Sequence, residues 1–329
     1  MAEFIIGSPL RRVARRYPTL QRLLWWLDFV LVWMLVKVFT LLPIDFASRL
    51  GRRVGRWIGP RMRRKTALYR ENMRVAFPDL SEEELDARVR DAWGQAGRIL
   101  AEYPHLEKFL RQEDRLEIVI QEPIPAYTDP EHPCVVVSAH VSNWEIVCSA
   151  MAKMGMPNAS LYTPPTNPYF DRMLADSRKA LNCELLARDN SARLLMKALK
   201  SGRTAGMVMD RRVDEGHPIR FFGRDKLTTL VPARLALKFN CELVPAHVER
   251  LHDARYRVTF LPPVRPRDPA AGETEQAVDM TEQLHGLFES WIRENPADWF
   301  CSKRLWDKPI ASSDTKPPEK KSSIESYAA

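Results

Sequence analysis

Hydrophobic and polar positions divide the chain in two. Over roughly the first hundred residues apolar side chains recur at helical spacing, and from about Leu116 onward short β-branched runs take over. Residues 23–42 read LLWWLDFVLVWMLVKVFTLL, interrupted only by Asp28, Lys37 and Thr40. Twenty helical residues span about 30 Å, the thickness of a bilayer core, and Trp25, Trp26 and Trp33 suit an interfacial position. The run is too long for a secretory signal and no small-residue cleavage site follows. It predicts an N-terminal membrane-anchoring helix that attaches rather than fully spans, because Asp28 and Lys37 are costly at bilayer depth; a buried soluble helix is the alternative. Residues 44–57 place apolar side chains at helical spacing among arginines and read as a helix lying on an anionic surface. Residues 65–77 continue helically to Phe77-Pro78, and Ser81 with Glu84 forms a capping box opening a helix over about 82–98.

Beyond that point strands and helices alternate. The pattern predicts strands at 116–120, 135–137, 159–162, 205–209, 242–248 and 256–261, and helices at 145–154, 170–181, 190–200, 230–239 and 272–295. Between them, 163–171 is a Pro/Asn loop too polar and kinked for a core, and Phe221-Phe222-Gly223 opens a basic loop running to Thr229. Such alternation predicts an α/β fold, a mostly parallel sheet flanked by helices. Three regions follow: an anchor with a basic amphipathic helix (1–65), an α/β domain (66–310) and a tail of disordered composition (311–329).

The stretch Cys134-Val-Val-Val-Ser-Ala-His140-Val-Ser-Asn-Trp-Glu145 combines a buried strand, a tight loop and a helix start. Ser142 and Asn143 read as N-cap residues, and reactive groups of α/β folds gather at the carboxyl ends of strands. His140 and Glu145 are five apart, so they meet only if the intervening backbone is irregular. A carboxylate beside an imidazole would orient it as a general base for an alcohol proton; a His and a Glu that merely cap a surface loop is the other reading, and this stretch alone leaves both open.

Charge narrows the partners. The 329 residues carry a net charge of +8 with an apolar share of 45%, which suits a phosphate-rich partner. The basic residues cluster on either side of the apolar run, more heavily after it, which predicts that the bulk of the chain is cytoplasmic; with no recognition motif present, a nucleic-acid partner is not expected. Cys134, Cys148, Cys183, Cys241 and Cys301 are scattered with no CxxC pair, which reads as structural thiols in a reducing compartment, without a metal site. There is no GxGxxG, Walker loop, Gly-flanked nucleophilic serine or HExxH. An enzyme that needs only a general base is left.

Taken in order, these segments resemble the lipid A biosynthesis acyltransferase family, the late lauroyl/myristoyl acyltransferases, which are similar to the glycerolipid acyltransferases. The resemblance runs from the anchor to Pro309 and rests on His140-Val-Ser-Asn-Trp-Glu145, Asn72…Phe77-Pro78, the loop 162–171 with Arg178, the series Asp210, Gly216, Phe221-Phe222-Gly223 and Thr229, Pro245 with Arg250, and Pro296-Ala-Asp298-Trp299…Lys303-Arg304. Arg211-Arg212 stands where the family usually has Gln after the Asp, and Asp298 replaces a usual Gln.

The resemblance implies acyl transfer from an acyl carrier protein thioester to a hydroxyl of Kdo-bearing lipid IVA at the inner membrane, on the cytoplasmic side, with no further cofactor. It implies His140 as base oriented by Glu145, and Asn143, Arg178, Asp210 and Arg250 as substrate-binding residues. Arg178 is a candidate for a phosphopantetheine or acceptor phosphate, or equally for a structural salt bridge, and Asp210 for pairing with an arginine. The basic surface suits the acidic carrier protein, the phosphorylated acceptor and anionic membrane lipids alike. The alternatives are a related acyltransferase acting on a glycerolipid, ornithine lipid or glycosylated phosphatidylinositol, and a non-catalytic protein that binds anionic lipids.

Overall fold

Three consecutive valines ending at Ser138 make the most enclosed strand of the protein. In the computed structural model, which describes residues 11–14, 16–187 and 191–307, every residue of that strand is buried. In chain order the strands are β1 (Leu116–Ile120), β2 (Val135–Ser138), β3 (Asn158–Tyr162), β4 (Cys183–Ala187), β5 (Thr204–Val208), β6 (His217–Phe221), β7 (Arg224–Thr228), β8 (Leu243–His252) and β9 (Arg255–Phe260). Among the described residues, seven form one sheet in the order β1-β9-β8-β2-β5-β3-β4, parallel throughout except between β8 and β9. Strand β2 lies inside this sheet with a parallel neighbour on each edge, which is why it tolerates no polar residue until its end.

The helices are α1 (Arg11–Ala14), α2 (Pro18–Leu41), α3 (Ile44–Ile58), α4 (Arg63–Ala76), α5 (Glu82–Glu102), α6 (Leu106–Arg111), α7 (Ile146–Lys153), α8 (Pro168–Lys179), α9 (Ser191–Lys200), α10 (Val231–Phe239) and α11 (Glu273–Glu294). Side chains alternate across β2. Val135 and Val137 join a core with residues of α4, α5, α9, α10 and α11, whereas Val136 packs with α6 and α7 on the other face. The capping box at the start of α5 forms as expected, with Ser81 Oγ accepting from the Glu84 amide and Glu84 Oε2 accepting from the Ser81 amide.

Two sheet elements were not foreseen. β4 forms the sheet edge beside β3. The expected basic loop after Phe221 is a two-stranded antiparallel ribbon, β6–β7, whose turn is Phe222-Gly223 with both residues at positive φ (49° and 72°). The helix expected over 190–200 is described from Ser191, and Asn190 and the tail 311–329 lie outside the described residues.

Helix α2 is 24 residues long, about 36 Å, and long and apolar enough to cross a membrane. Leu23, Trp26, Trp33, Met34, Leu35 and Val38 are exposed on it, whereas Asp28, the residue least compatible with lipid, is buried against the protein. One side of α2 docks on α8, where Phe29 meets the rings of Tyr169 and Phe170 and the Asn167 amide donates to Trp25 O.

Helix α3 has two faces. Ala47, Ser48, Gly51 and, just past its end, Gly59 are buried, while Phe46, Val54, Trp57 and Ile58 are exposed among arginines. The small-residue face touches α5 backbone to backbone: a Cβ at Gly55 would lie 2.2 Å from Trp93 O, and one at Gly51 would lie 2.4 Å from Gly97 O. The expected surface helix is therefore surface-lying on one side only. Gly55→Ala must separate the two helices, and we expect a loss of about 2–4 kcal/mol in denaturant unfolding, of the size seen when a packed core is overfilled or opened. Val54→Ala, on the outer face, should change stability by less than about 0.5 kcal/mol.

Candidate active site

Parallel pairing sets the site. β2 and β5 are in register with Val135 opposite Ala205 and Ser138 opposite Val208. Two residues beyond the end of each strand, His140 and Asp210 therefore come out side by side at the carboxyl edge of the sheet. The His140 Nδ1 lies 2.5 Å from Asp210 Oδ1, and the His140 amide also donates to that oxygen at 3.1 Å. The Trp299 indole N–H donates to Asp210 Oδ2 at 3.0 Å.

Both groups are deeply buried. Burial drives the His140 imidazole toward its neutral form, against the pull of Asp210 and with help from the nearby Arg211 and Lys303 charges. Burial pushes the Asp210 carboxyl up, but the charge and hydrogen bond of His140 and the Trp299 indole more than reverse this and hold it well below the usual carboxylate range. An ionised carboxylate can only accept, so Nδ1 of His140 carries the hydrogen and Nε2 carries the lone pair. A neutral imidazole in that tautomer, backed by a carboxylate, is equipped to take a proton.

The expectation that Glu145 orients His140 is corrected here. The ring's carboxylate partner is Asp210, and the Arg211 charge also helps to hold that carboxyl ionised. Glu145 turns elsewhere: Oε1 accepts from the Trp144 indole at 3.1 Å, and Oε2 pairs with Arg178 Nη2. The loop is irregular, as the five-residue spacing requires, with Ser142 at φ 50°. Neither Ser142 nor Asn143 caps the helix; α7 starts after Glu145 without a side-chain cap. Trp144 stands edge-on to the His140 ring at 4.8 Å. A chain thus runs from Asp210 through His140 and Trp144 to Glu145 and Arg178. The Arg178 side chain is 6% exposed, lies 5.6 Å from the Tyr103 ring, and keeps Nε and Nη1 without a partner among the described residues. Two buried, unsatisfied guanidinium donors are costly without a ligand and well suited to a phosphate oxygen.

Asn143 and Arg250 meet at a residue the sequence reading missed. Glu102, the last residue of α5, is fully buried. It accepts from Ser48 Oγ at 2.6 Å, from Arg250 Nη1 and Nη2 at 2.6 and 3.2 Å, from Asn143 Nδ2 at 3.0 Å, and from the Tyr256 hydroxyl. Its signal was available: α5 buries Leu85, Val89, Ala92, Ala96 and Ile99, and Glu102 continues that stripe.

The C-terminal segment closes the site. Trp299 bridges to Val141, the Ser142 amide donates to Asp298 O at 2.9 Å, and the Phe300 amide donates to His140 O at 2.7 Å.

The sequence matches the family model described as bacterial lipid A biosynthesis acyltransferase over residues 13–308. It is 25% identical over 246 residues to the lipid A biosynthesis lauroyltransferase of Escherichia coli, covering 72% of this chain and 78% of that protein. It is 21% identical over 215 residues to a lipid A biosynthesis acyltransferase of Haemophilus influenzae, covering 62% of this chain and 64% of that one.

Removing one member of a buried ion pair strands the other. Glu102→Ala should therefore cost about 3–5 kcal/mol in urea unfolding, whereas replacing Glu117 of the exposed, solvent-screened pair Arg257–Glu117 by alanine should leave the unfolding midpoint nearly unchanged.

Proposed function

Because the chain belongs to the bacterial lipid A biosynthesis acyltransferase family, we propose that it moves a fatty acyl group from an acyl carrier protein thioester to a hydroxyl of Kdo-bearing lipid IVA, with His140 as the base and Asp210 behind it. The observation that carries this reading is the buried His140–Asp210 pair, with a neutral ring and its Nε2 lone pair available. The acceptor hydroxyl gives its proton to His140 Nε2 as its oxygen attacks the thioester carbonyl. The tetrahedral intermediate collapses by breaking the C–S bond, and the imidazolium returns the proton to the departing thiolate. No acyl-enzyme forms. Asp210 fixes the tautomer and stabilises the imidazolium while it exists.

The remaining residues take supporting parts. Glu145 holds Arg178 and Trp144, and the uncommitted Arg178 donors receive a phosphate oxygen of donor or acceptor. Asn143 and Arg250 keep the loop in place through Glu102. The exposed apolar surface of α2 and the outer face of α3, where Trp57 is 63% exposed among arginines, hold the enzyme on the anionic cytoplasmic leaflet of the inner membrane. The net charge of +8 suits this surface and an acidic carrier protein.

The test is acyl transfer by detergent-solubilised protein, with acyl carrier protein thioesters of several chain lengths and Kdo-bearing lipid IVA, read by mass spectrometry. A product heavier by one acyl chain is expected. His140→Ala should lower kcat on the order of 10²–10⁴-fold, and Asp210→Asn by at least about tenfold through the wrong tautomer. Product formation undiminished in His140→Ala would overturn the mechanism, and no product with any donor would overturn the acceptor assignment. Because burial lowers the pKa of His140, the acidic limb of kcat/KM should lie below the ordinary histidine value of 6.5, with activity lost as pH falls through it.

A further inference from the structure

Behind the His140–Asp210 pair lies a lysine that this mechanism does not use. In β7 the exposed Arg224 and Asp225 give way to Lys226, which is 2% exposed, and its alternate Thr228 is buried on the same face. Lysine is rarely buried so completely unless its charge is employed. The Lys226 ammonium donates to the main-chain oxygen of Asp210 at 2.7 Å and sits 4.8 Å from the Phe221 ring centroid. β5 has ended by then; Met209 still donates its amide to Ser138 O, and at Asp210 the backbone carbonyl is held by this side chain.

The surroundings make the ammonium expensive. The His285 ring of α11 meets Phe221 tilted at 51°, with the centroids 5.0 Å apart, and His285 Nδ1 faces Arg220 O. Arg212, Asp225 and Asp307 line a small cavity of about 150 Å³ that Lys226 borders, and Arg212 is already paired with Asp307 at 3.2 Å. Burial drives Lys226 down to about 7, with the Asp210 charge pulling the other way. Burial and the Lys226 charge push His285 down to about 3, so His285 is neutral near pH 7 and adds no second positive charge beside the ammonium. A methionine would fill the same space without that penalty.

We propose that Lys226 is a positioning residue for acyl transfer: its buried ammonium clamps the main-chain carbonyl of Asp210 and so fixes the carboxylate that holds the His140 ring. This rests on the His140–Asp210 pair being the base. Lys226 touches no substrate; it acts through the stiffness and charge of the segment that carries Asp210. A positive charge here also favours loss of the proton from the imidazolium, keeping the base in its working form.

The experiment compares the full-length protein with Lys226→Met, Lys226→Arg and His140→Ala in the acyl-transfer assay across pH 5.5–9.5, with melting temperatures measured alongside. Lys226→Met should lower kcat at least about tenfold, as misplacement of a catalytic group does, with KM for the thioester unchanged. Its melting temperature should stay level or rise, since a poorly compensated buried cation has been removed. The acidic limb of kcat/KM should move to higher pH. The wild type should lose rate as pH rises above about 7 and Lys226 gives up its proton, and Lys226→Arg should restore much of kcat without that loss, because a guanidinium keeps its proton. A Lys226→Met enzyme with wild-type kcat and pH profile would overturn the proposal. So would kcat and melting temperature falling together without recovery in Lys226→Arg, which marks a merely structural lysine. Activity retained in His140→Ala would instead remove the base reading on which the inference stands.

Discussion

An ionised carboxylate at 1% exposure needs donors from every side, because burying such a charge without them costs more than a small domain's whole stability. Asp210 finds them in places far apart in sequence. His140 supplies a ring N–H and a backbone N–H from the end of β2, and Trp299 supplies an indole N–H from beyond α11. Lys226 holds the carbonyl of the same residue from the ribbon. The parallel register of β2 and β5 is what brings the first two together, so the sheet order and the site answer to one requirement.

The loop between β2 and α7 hangs from three charged groups. His140 goes to Asp210, Asn143 to Glu102, and Glu145 to Arg178. Each partner belongs to a different part of the fold: the end of β5, the end of α5, and α8. A loop with Ser142 in the left-handed region would be mobile if left to itself. Tied at three points, it presents the His140 ring with little freedom, which is what general base catalysis needs for its geometry.

Much of this was legible in the sequence where the signal is local. The valine run of β2, the capping box at Ser81 and Glu84, the apolar helix with its misplaced Asp28 and the strand–helix alternation each follow from a few neighbouring residues. His140 and Asp210 were both singled out, yet their pairing was not, because a parallel register joins residues seventy positions apart and leaves no trace in spacing. Glu145 looked like the partner because it was near in sequence, and Arg178, 33 positions further on, is what it binds. The ribbon was read as a loop because His217-Pro-Ile-Arg-Phe221 has a proline, a histidine and an arginine, and its turn uses Phe222-Gly223 in place of the usual Asn-Gly. Glu102 was overlooked because a charged residue on an apolar stripe reads as a helix end until its arginine, tyrosine and asparagine are seen around it.

The strand-like contact of residues 298–300 with 140–142 has a consequence for synthesis. Chains emerge from the ribosome at about 5–20 residues per second and domains condense as they appear. β2 and β5 can pair well before Trp299 is made, but the carboxylate between them then lacks its indole donor and the His140 carbonyl lacks the Phe300 amide. A ribosome that stalls after α11 therefore leaves a body whose sheet is assembled and whose reactive corner is open to water. The reactive corner is completed only when residues 298–300 arrive, after the strands of the sheet are already in place.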